Sequence, residues 1–358
     1  MKPPIRALVD TTALRHNLSR VRATAPASRV MAVITANGYG HGLVTVARAL
    51  SQADGLAVAR LDEGLALRAA GLANPVLLLE GVFSPEQLAS AAQRRLDIMV
   101  HSVEQIEMLE GRAGGEVVSA WIKLDTGMNR LGFRVEAFAA AYARLRRIAN
   151  VAADPTLVTH LASADEPADP KTVQQLGAFA AATAGLPGER SIANSAGLIA
   201  WPDTRADWVR PGLALYGVSP FAEGTGVGLG LRPAMTLCSE VIAVKDVAAG
   251  ETVGYGGEWR AARATRMAVV AAGYGDGYPR SVPSGTPVLV NGRRAPLVGR
   301  VSMDMITVDV TDLPAVATGD PVVLWGDEVP VEEIARLAGT IPYELICGVS
   351  QRVHHELR

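Results

Sequence analysis

The run Ala32-Val33-Ile34-Thr35-Ala36-Asn37-Gly38-Tyr39-Gly40-His41-Gly42 concentrates hydrogen-bonding and proton-handling groups in one short stretch. An apolar strand leads into a glycine-rich turn that carries a phenol, Tyr39, and an imidazole, His41. At the C-terminal end of a barrel strand, such a turn would face an active site. The competing explanation is a tight turn that needs glycine's backbone freedom. Spacing alone leaves the two readings level. Amines are scarce, since only Lys2, Lys123, Lys171 and Lys245 occur, so any lysine chemistry must come from these four. Cys238 and Cys347 fit neither a metal spacing nor a disulfide framework and read as buried thiols in a reducing compartment. His16, His101, His354 and His355 have no second His or Cys at ligand spacing, so no metal is expected. Asp62-Glu63 and Glu332-Glu333 read as solvated helix faces.

Composition bounds what can position these groups. At 358 residues, two domains are the default expectation. A hydrophobic fraction of 49% with 20% charged residues suits a globular protein with a sizeable core. Net charge is −2 with no basic block, which argues against nucleic acid as a partner. Met1-Lys2-Pro3-Pro4-Ile5-Arg6 lacks a signal peptide's apolar run, and no apolar stretch reaches membrane-spanning length, so a cytoplasmic location is expected.

The chain changes grain part-way. Between residues 29 and 230, apolar strands alternate with helical patterns. Strands are expected at Arg29–Ile34, Gly55–Ala59, Pro75–Glu80, Ile98–Val100, Val117–Leu124, Thr156–Leu161, Arg190–Ala193 and Leu213–Gly217. Helices are expected at Leu43–Ser51, Asp62–Ala70, Glu136–Ile148 and Thr172–Ala184. Ser84 with Gln87, and Ser102 with Gln105, have capping-box spacing. About eight βα units fit a (β/α)₈ barrel of the TIM type, and the absence of G-x-G-x-x-G weakens an open nucleotide-binding sheet. From 232 onward the pattern is all-β. Strands are expected at Thr236–Val247, Arg266–Ala272, Thr286–Val290, Ala295–Val298, Met305–Val310 and Pro321–Leu324. Asn291-Gly292 reads as a hairpin turn, and only Val331–Ala338 looks helical. The expected division is therefore a barrel over 1–231 and a β domain over 232–358.

The Ala32–Gly42 segment resembles the alanine racemase signature, which reads A-V-V-K-A-N-A/G-Y-G-H-G. The likeness returns at Trp121–Gly132, Thr159–Asp165, Trp208–Gly217, Val253–Gly257, Gly273–Arg280, Gly299–Met305 and Ile341–Glu344. It implies a pyridoxal-phosphate (PLP) enzyme that interconverts L- and D-alanine for peptidoglycan, working as a homodimer whose active sites are completed across the interface. One position departs. The family's lysine, which forms the Schiff base and serves as one base, falls on Thr35. Threonine has no amine, so the resemblance implies impaired catalysis, with PLP held non-covalently or as its imine with an amino acid.

By the same resemblance, Tyr255 is the second base, supported by His160, which Arg210 holds in turn. Arg210 faces the pyridine nitrogen, where a permanent cation disfavours protonation and restrains long-lived carbanions. Tyr39, Ser195, Gly212, Leu213 and Tyr343 form the phosphate cradle. Arg130 and the Met303 backbone hold the substrate carboxylate. Lys123, often carbamylated in the family, and Asp304 support the site. Asp165 and Tyr274 line the way in. For Arg210 the bland alternative is a buried salt bridge. Two functional alternatives remain: a non-catalytic protein that binds PLP or an amino-acid–PLP adduct, and a racemase with another amino-acid preference.

Overall fold

The computed structural model describes residues 4–112 and 114–358. Eight parallel strands close a barrel. They are Arg29–Val33, Gly55–Val58, Val76–Leu78, Asp97–Val100, Ala120–Lys123, Thr156–Val158, Arg190–Ser191 and Trp208–Val209. Closure is made by Arg29 opposite Trp208 and Val30 opposite Val209. These strands are short, continuous apolar runs because both faces are covered, by helices outside and by side chains within. Met31, Ala57, Leu77, Met99, Trp121, Val158 and Trp208 fill the interior, so the barrel is a packed core rather than a pore.

One expected strand is corrected. Leu213–Gly217 is not the eighth strand; Leu213–Tyr216 is a 3₁₀ turn, and the strand lies upstream at Trp208–Val209. All four side chains of the turn are buried, so its composition mimics a buried strand. Gly217, at φ 79°, ends the coil in the left-handed region.

The second sheet is built around the long strand Met235–Val247. Two irregularities, between Leu237 and Cys238 and between Val241 and Ala243, bend it so that it pairs with Pro321–Trp325 along one part and Thr265–Val270 along another. Pro287–Val290 and Arg293–Pro296 form the expected hairpin, with Asn291 and Gly292 both at positive φ. The chain's first strand, Arg6–Val9, precedes the barrel yet pairs here, antiparallel to Met235–Cys238 and parallel to His354–Leu357. The region is mostly sheet rather than all-β, since the helix Pro342–Cys347 follows the expected Val331–Ala338.

Neither capping box closes as expected. Ser84 accepts from the Gln87 amide, but the Gln87 side chain reaches one residue further back, to the Phe83 N–H. Ser102 makes no cap bond, and Gln105 accepts from His101 N–H instead.

Candidate active site

The C-terminal ends of the barrel strands deliver the chemistry, as barrel geometry requires. Thr35 follows the first strand, Lys123 ends the fifth, His160 follows the sixth, and Arg210 follows the eighth. Ser195 opens the short helix after the seventh, capped by the Asn194 side chain.

Thr35 leads into an unusual backbone. Ala36, Asn37, Gly38 and Tyr39 lie consecutively in the left-handed region, at φ 52°, 57°, 64° and 50°. Each non-glycine residue there costs about 1–2 kcal/mol, so the turn persists only because its surroundings hold it. The Thr35 hydroxyl donates to Glu63 Oε2 at 2.8 Å and accepts from the Ala59 N–H at 3.1 Å. Glu63 Oε2 also accepts from the Ala59 and Arg60 N–H groups. This corrects the reading of Asp62-Glu63 as a solvated face: only Asp62 is exposed. Glu332 is corrected likewise. It is buried and accepts from the Ser219 and Gly226 N–H groups.

Tyr39 is buried against Tyr216, with ring centroids 4.6 Å apart, and tilts on Tyr343 at 5.9 Å. Burial raises its phenol well above the ordinary range, so it acts as a neutral hydrogen-bonding group. A Cβ at Gly212 would stand 2.4 Å from the Tyr39 hydroxyl, so only glycine allows this approach. Ser195 Oγ accepts from the Gly212 and Ala214 N–H groups at 3.0 and 3.2 Å. Hydroxyls and backbone N–H groups thus meet at one spot, the donor set a phosphate dianion requires.

Arg210 is 5% exposed. Its guanidinium donates to Ser191 Oγ at 2.6 Å, to the Thr159 carbonyl at 2.7 Å and to His160 Nδ1 at 3.4 Å. Among the described residues no carboxylate pairs with it, which removes the salt-bridge alternative. Burial lowers it to about 10. His160 is pushed down to about 3, by burial first and then by Arg210, Lys123 and Arg130. A neutral His160 accepting at Nδ1 carries its proton on Nε2. Lys123 is 8% exposed and lowered to about 8, by burial and then by Arg210 and Arg130. Arg130, itself exposed, is therefore an electrostatic neighbour of both Lys123 and His160. Asp165 stands near Tyr343 and raises its phenol further, to about 12, after burial.

Tyr255, Tyr274, Met303 and Asp304 lie in the other domain. No hydrogen bond, ion pair or ring contact among the described residues joins them to the barrel groups. Tyr255, Tyr274, Met303 and Met305 are exposed, at 68%, 41%, 54% and 44%. Arg352 braces this region through Asp276, Asp304 and the Met303 carbonyl.

The alanine racemase N-terminal domain model matches residues 9–220, and the corresponding C-terminal domain model matches 234–357. The chain belongs to the alanine racemase family. It is 53% identical over 353 residues to an alanine racemase of Shewanella loihica, with 99% of each chain covered. It superimposes on the biosynthetic alanine racemase of Pseudomonas aeruginosa at a TM-score of 0.96, with 46% identity and both chains fully covered. The alanine racemase of Acinetobacter baumannii gives 0.94 at 38% identity. Alanine racemases depend on PLP. The hydroxyl and N–H cluster around Gly212 fits a phosphate, and Arg210 fits a ring nitrogen that accepts. Thr35 does not fit a covalent anchor. Several residues escape sequence reasoning: Glu63, Thr159, Ser191, Tyr216, Asp276 and Arg352. Each meets a partner distant in the chain, and even for Thr159, Tyr216 and Asp276, which lie in motifs, the local pattern does not show that partner.

The remaining expectations outside the site divide. His101 is a satisfied, half-buried residue near the Glu80 carbonyl. Cys238 is buried as expected, but Cys347 is exposed, because it closes a short helix on the surface side. Among the described residues no group of His, Cys, Asp and Glu could hold a metal, and no helix is long and apolar enough to cross a membrane.

Proposed function

We propose that this chain is an alanine racemase, interconverting L- and D-alanine in the cytoplasm for peptidoglycan synthesis, with catalysis slowed by Thr35. The observation that carries the reading is the buried Arg210–His160 pair, without a counter-anion, beside the Tyr39–Ser195–Gly212 cluster. Bound PLP supplies an electron sink that acidifies the Cα–H of an attached amino acid. Around it, Tyr39, Ser195, Gly212, Leu213 and Tyr343 would hold the phosphate. Arg210 would donate to the ring nitrogen without giving up its proton. Arg130 and the Met303 N–H would hold the alanine carboxylate, with Lys123 and Asp304 in support. Tyr255 of the partner subunit would move the proton on one face, helped by His160 Nε2–H. Asp165 and Tyr274 would line the way in.

The opposite face lacks its base. Thr35 has no amine, and its hydroxyl proton is committed to Glu63. That observation favours, as a second reading, a chain that binds PLP without turnover. The two are separated by titrating PLP and running a D-amino-acid-oxidase-coupled assay on the native chain and on Thr35→Lys. The native chain is expected to bind PLP reversibly and to racemise at least about a thousandfold more slowly than Thr35→Lys. Equal rates would overturn the assignment of Thr35. A Thr35→Lys protein that binds PLP but stays inactive would leave the binding-only reading standing.

A further inference from the structure

We propose that His355, in the last strand of the second domain, is a positioning residue that sets Tyr39 in the barrel. The role rests on the reading of Tyr39 as part of a phosphate cradle. The carbonyls of the left-handed turn can be followed one by one. Ile34 O accepts from Gly38 N–H, Ala36 O from Gly40 N–H, Asn37 O from Gly42 N–H and Gly38 O from His41 N–H. Tyr39 O accepts from His41 Nδ1–H at 2.7 Å. All these donors lie within the turn itself.

The Gly40 carbonyl is the exception. It accepts from His355 Nε2–H at 2.7 Å, across 315 positions of sequence. A carbonyl can only accept, so Nε2 carries a proton; Nδ1 of the same ring stands 3.2 Å from the Val353 carbonyl. The second domain also closes on the same residue from another side. A Cβ on Gly40 would stand 2.0 Å from the Ile346 carbonyl, and Tyr343 of that helix leans on the Tyr39 ring. His41, held under Tyr216 at 4.8 Å, completes the packing around the turn.

Tyr39 therefore sits between a strained backbone and a clamp supplied by the other domain. With five successive positive-φ residues, Ala36 to Gly40, the turn has ready alternatives if the clamp opens. Relaxing Gly40 would swing the Tyr39 hydroxyl away from Gly212 and Ser195. His355 touches none of these groups and acts through the Gly40 peptide.

The test is a spectroscopic PLP titration of the native chain, His355→Ala, His355→Gln, Tyr39→Phe and the double variant His355→Ala/Tyr39→Phe, each checked by thermal melting. His355→Ala is expected to weaken PLP about five- to tenfold, the factor one neutral hydrogen bond carries. His355→Gln keeps an N–H donor and should recover most of that loss. In the Tyr39→Phe background, His355→Ala should add little, because the hydroxyl it positions is gone. Equal losses in both backgrounds would overturn the proposal and make His355 a general support of the fold, as would unchanged affinity in His355→Ala. If His355→Ala does not fold, His355→Asn replaces it, whose shorter side chain cannot reach Gly40. A native chain that binds no PLP would refute the cradle reading itself, and the role of His355 with it.

Discussion

Arg210, buried, and Glu63, half-buried, show how this molecule satisfies charged groups at single residues. Each is satisfied by neutral dipoles rather than by an opposite charge: carbonyls, a hydroxyl and an imidazole for Arg210, N–H groups and a hydroxyl for Glu63. Such arrangements keep a charge in place and leave it free to act on a ligand. The cost falls on the neighbours. Burial first, and then Arg210, Lys123 and Arg130, oppose a proton on His160, whose value falls from 6.5 to about 3. The unfolded chain, however, protonates its histidines near 6.5. Between those values the unfolded state holds a proton that the folded state lacks, so stability falls as pH falls through that window. His160→Gln removes this contribution. By pH 4 the native protein should have lost about 3 kcal/mol relative to His160→Gln, measured against their difference at pH 7. Paired melting curves across pH 4–7 read this directly. A difference that stays constant with pH would mean that His160 takes up its proton in the folded protein just as it does in the unfolded chain.

At the scale of elements, the decisive piece is the left-handed turn after the first barrel strand. Ala36 is exposed and at φ 52°, so its methyl group makes no buried packing and only adds strain. Ala36→Gly should therefore raise stability by about 0.5–1 kcal/mol, the relief of strain less the greater chain entropy of glycine. A small rise in melting temperature is the readout, and a fall would show that the turn is not strained at that position. The glycine pattern made this turn visible in the sequence, but not its handedness, which depends on contacts with Ile346 and His355. The barrel strands were legible for a related reason. Strands buried on both faces are continuous apolar runs, and each ends where polar residues begin. That cue failed at Leu213–Tyr216, whose four buried side chains belong to a 3₁₀ turn. The Asn291-Gly292 hairpin needed only its own two residues to be read. The pairing of Arg6–Val9 with strands at the far end of the chain had no local signal at all. Among the residues around the site, Glu63 and Ser191 lie outside every motif, and Thr159, though inside one, meets Arg210 only through its carbonyl; these contacts exist only once the strands stand side by side.

At the scale of the whole molecule, no hydrogen bond, ion pair or ring contact among the described residues joins Tyr255 to the barrel groups of its own chain. Thr35, His160 and Arg210 lie at the C-terminal ends of barrel strands, whereas Tyr255 stands 68% exposed on the other domain, where Met303, Met305 and Tyr274 are exposed as well. Exposed apolar side chains, when contiguous, mark interaction surfaces. A twofold dimer would use the same patch twice, bringing each Tyr255 to the barrel of its partner. Thr35 makes that arrangement testable by complementation. The native chain has Tyr255 but no lysine at position 35. The double variant Thr35→Lys/Tyr255→Phe has the lysine but no phenol. Each homodimer should be slow, by about 10²–10⁴ for a missing base. Refolded or co-expressed together, they form mixed dimers in which one site receives its lysine from the variant and its phenol from the native partner. With random pairing of equal amounts, half the dimers are mixed and each has one complete site, so the mixture should reach about a quarter of the Thr35→Lys specific activity. Activity should rise with time as subunits exchange, and dilution below the dimer's dissociation constant should abolish it. If Tyr255 instead served its own barrel, both site types in the mixed dimer would stay incomplete, and mixing two slow proteins would give only the average of their rates.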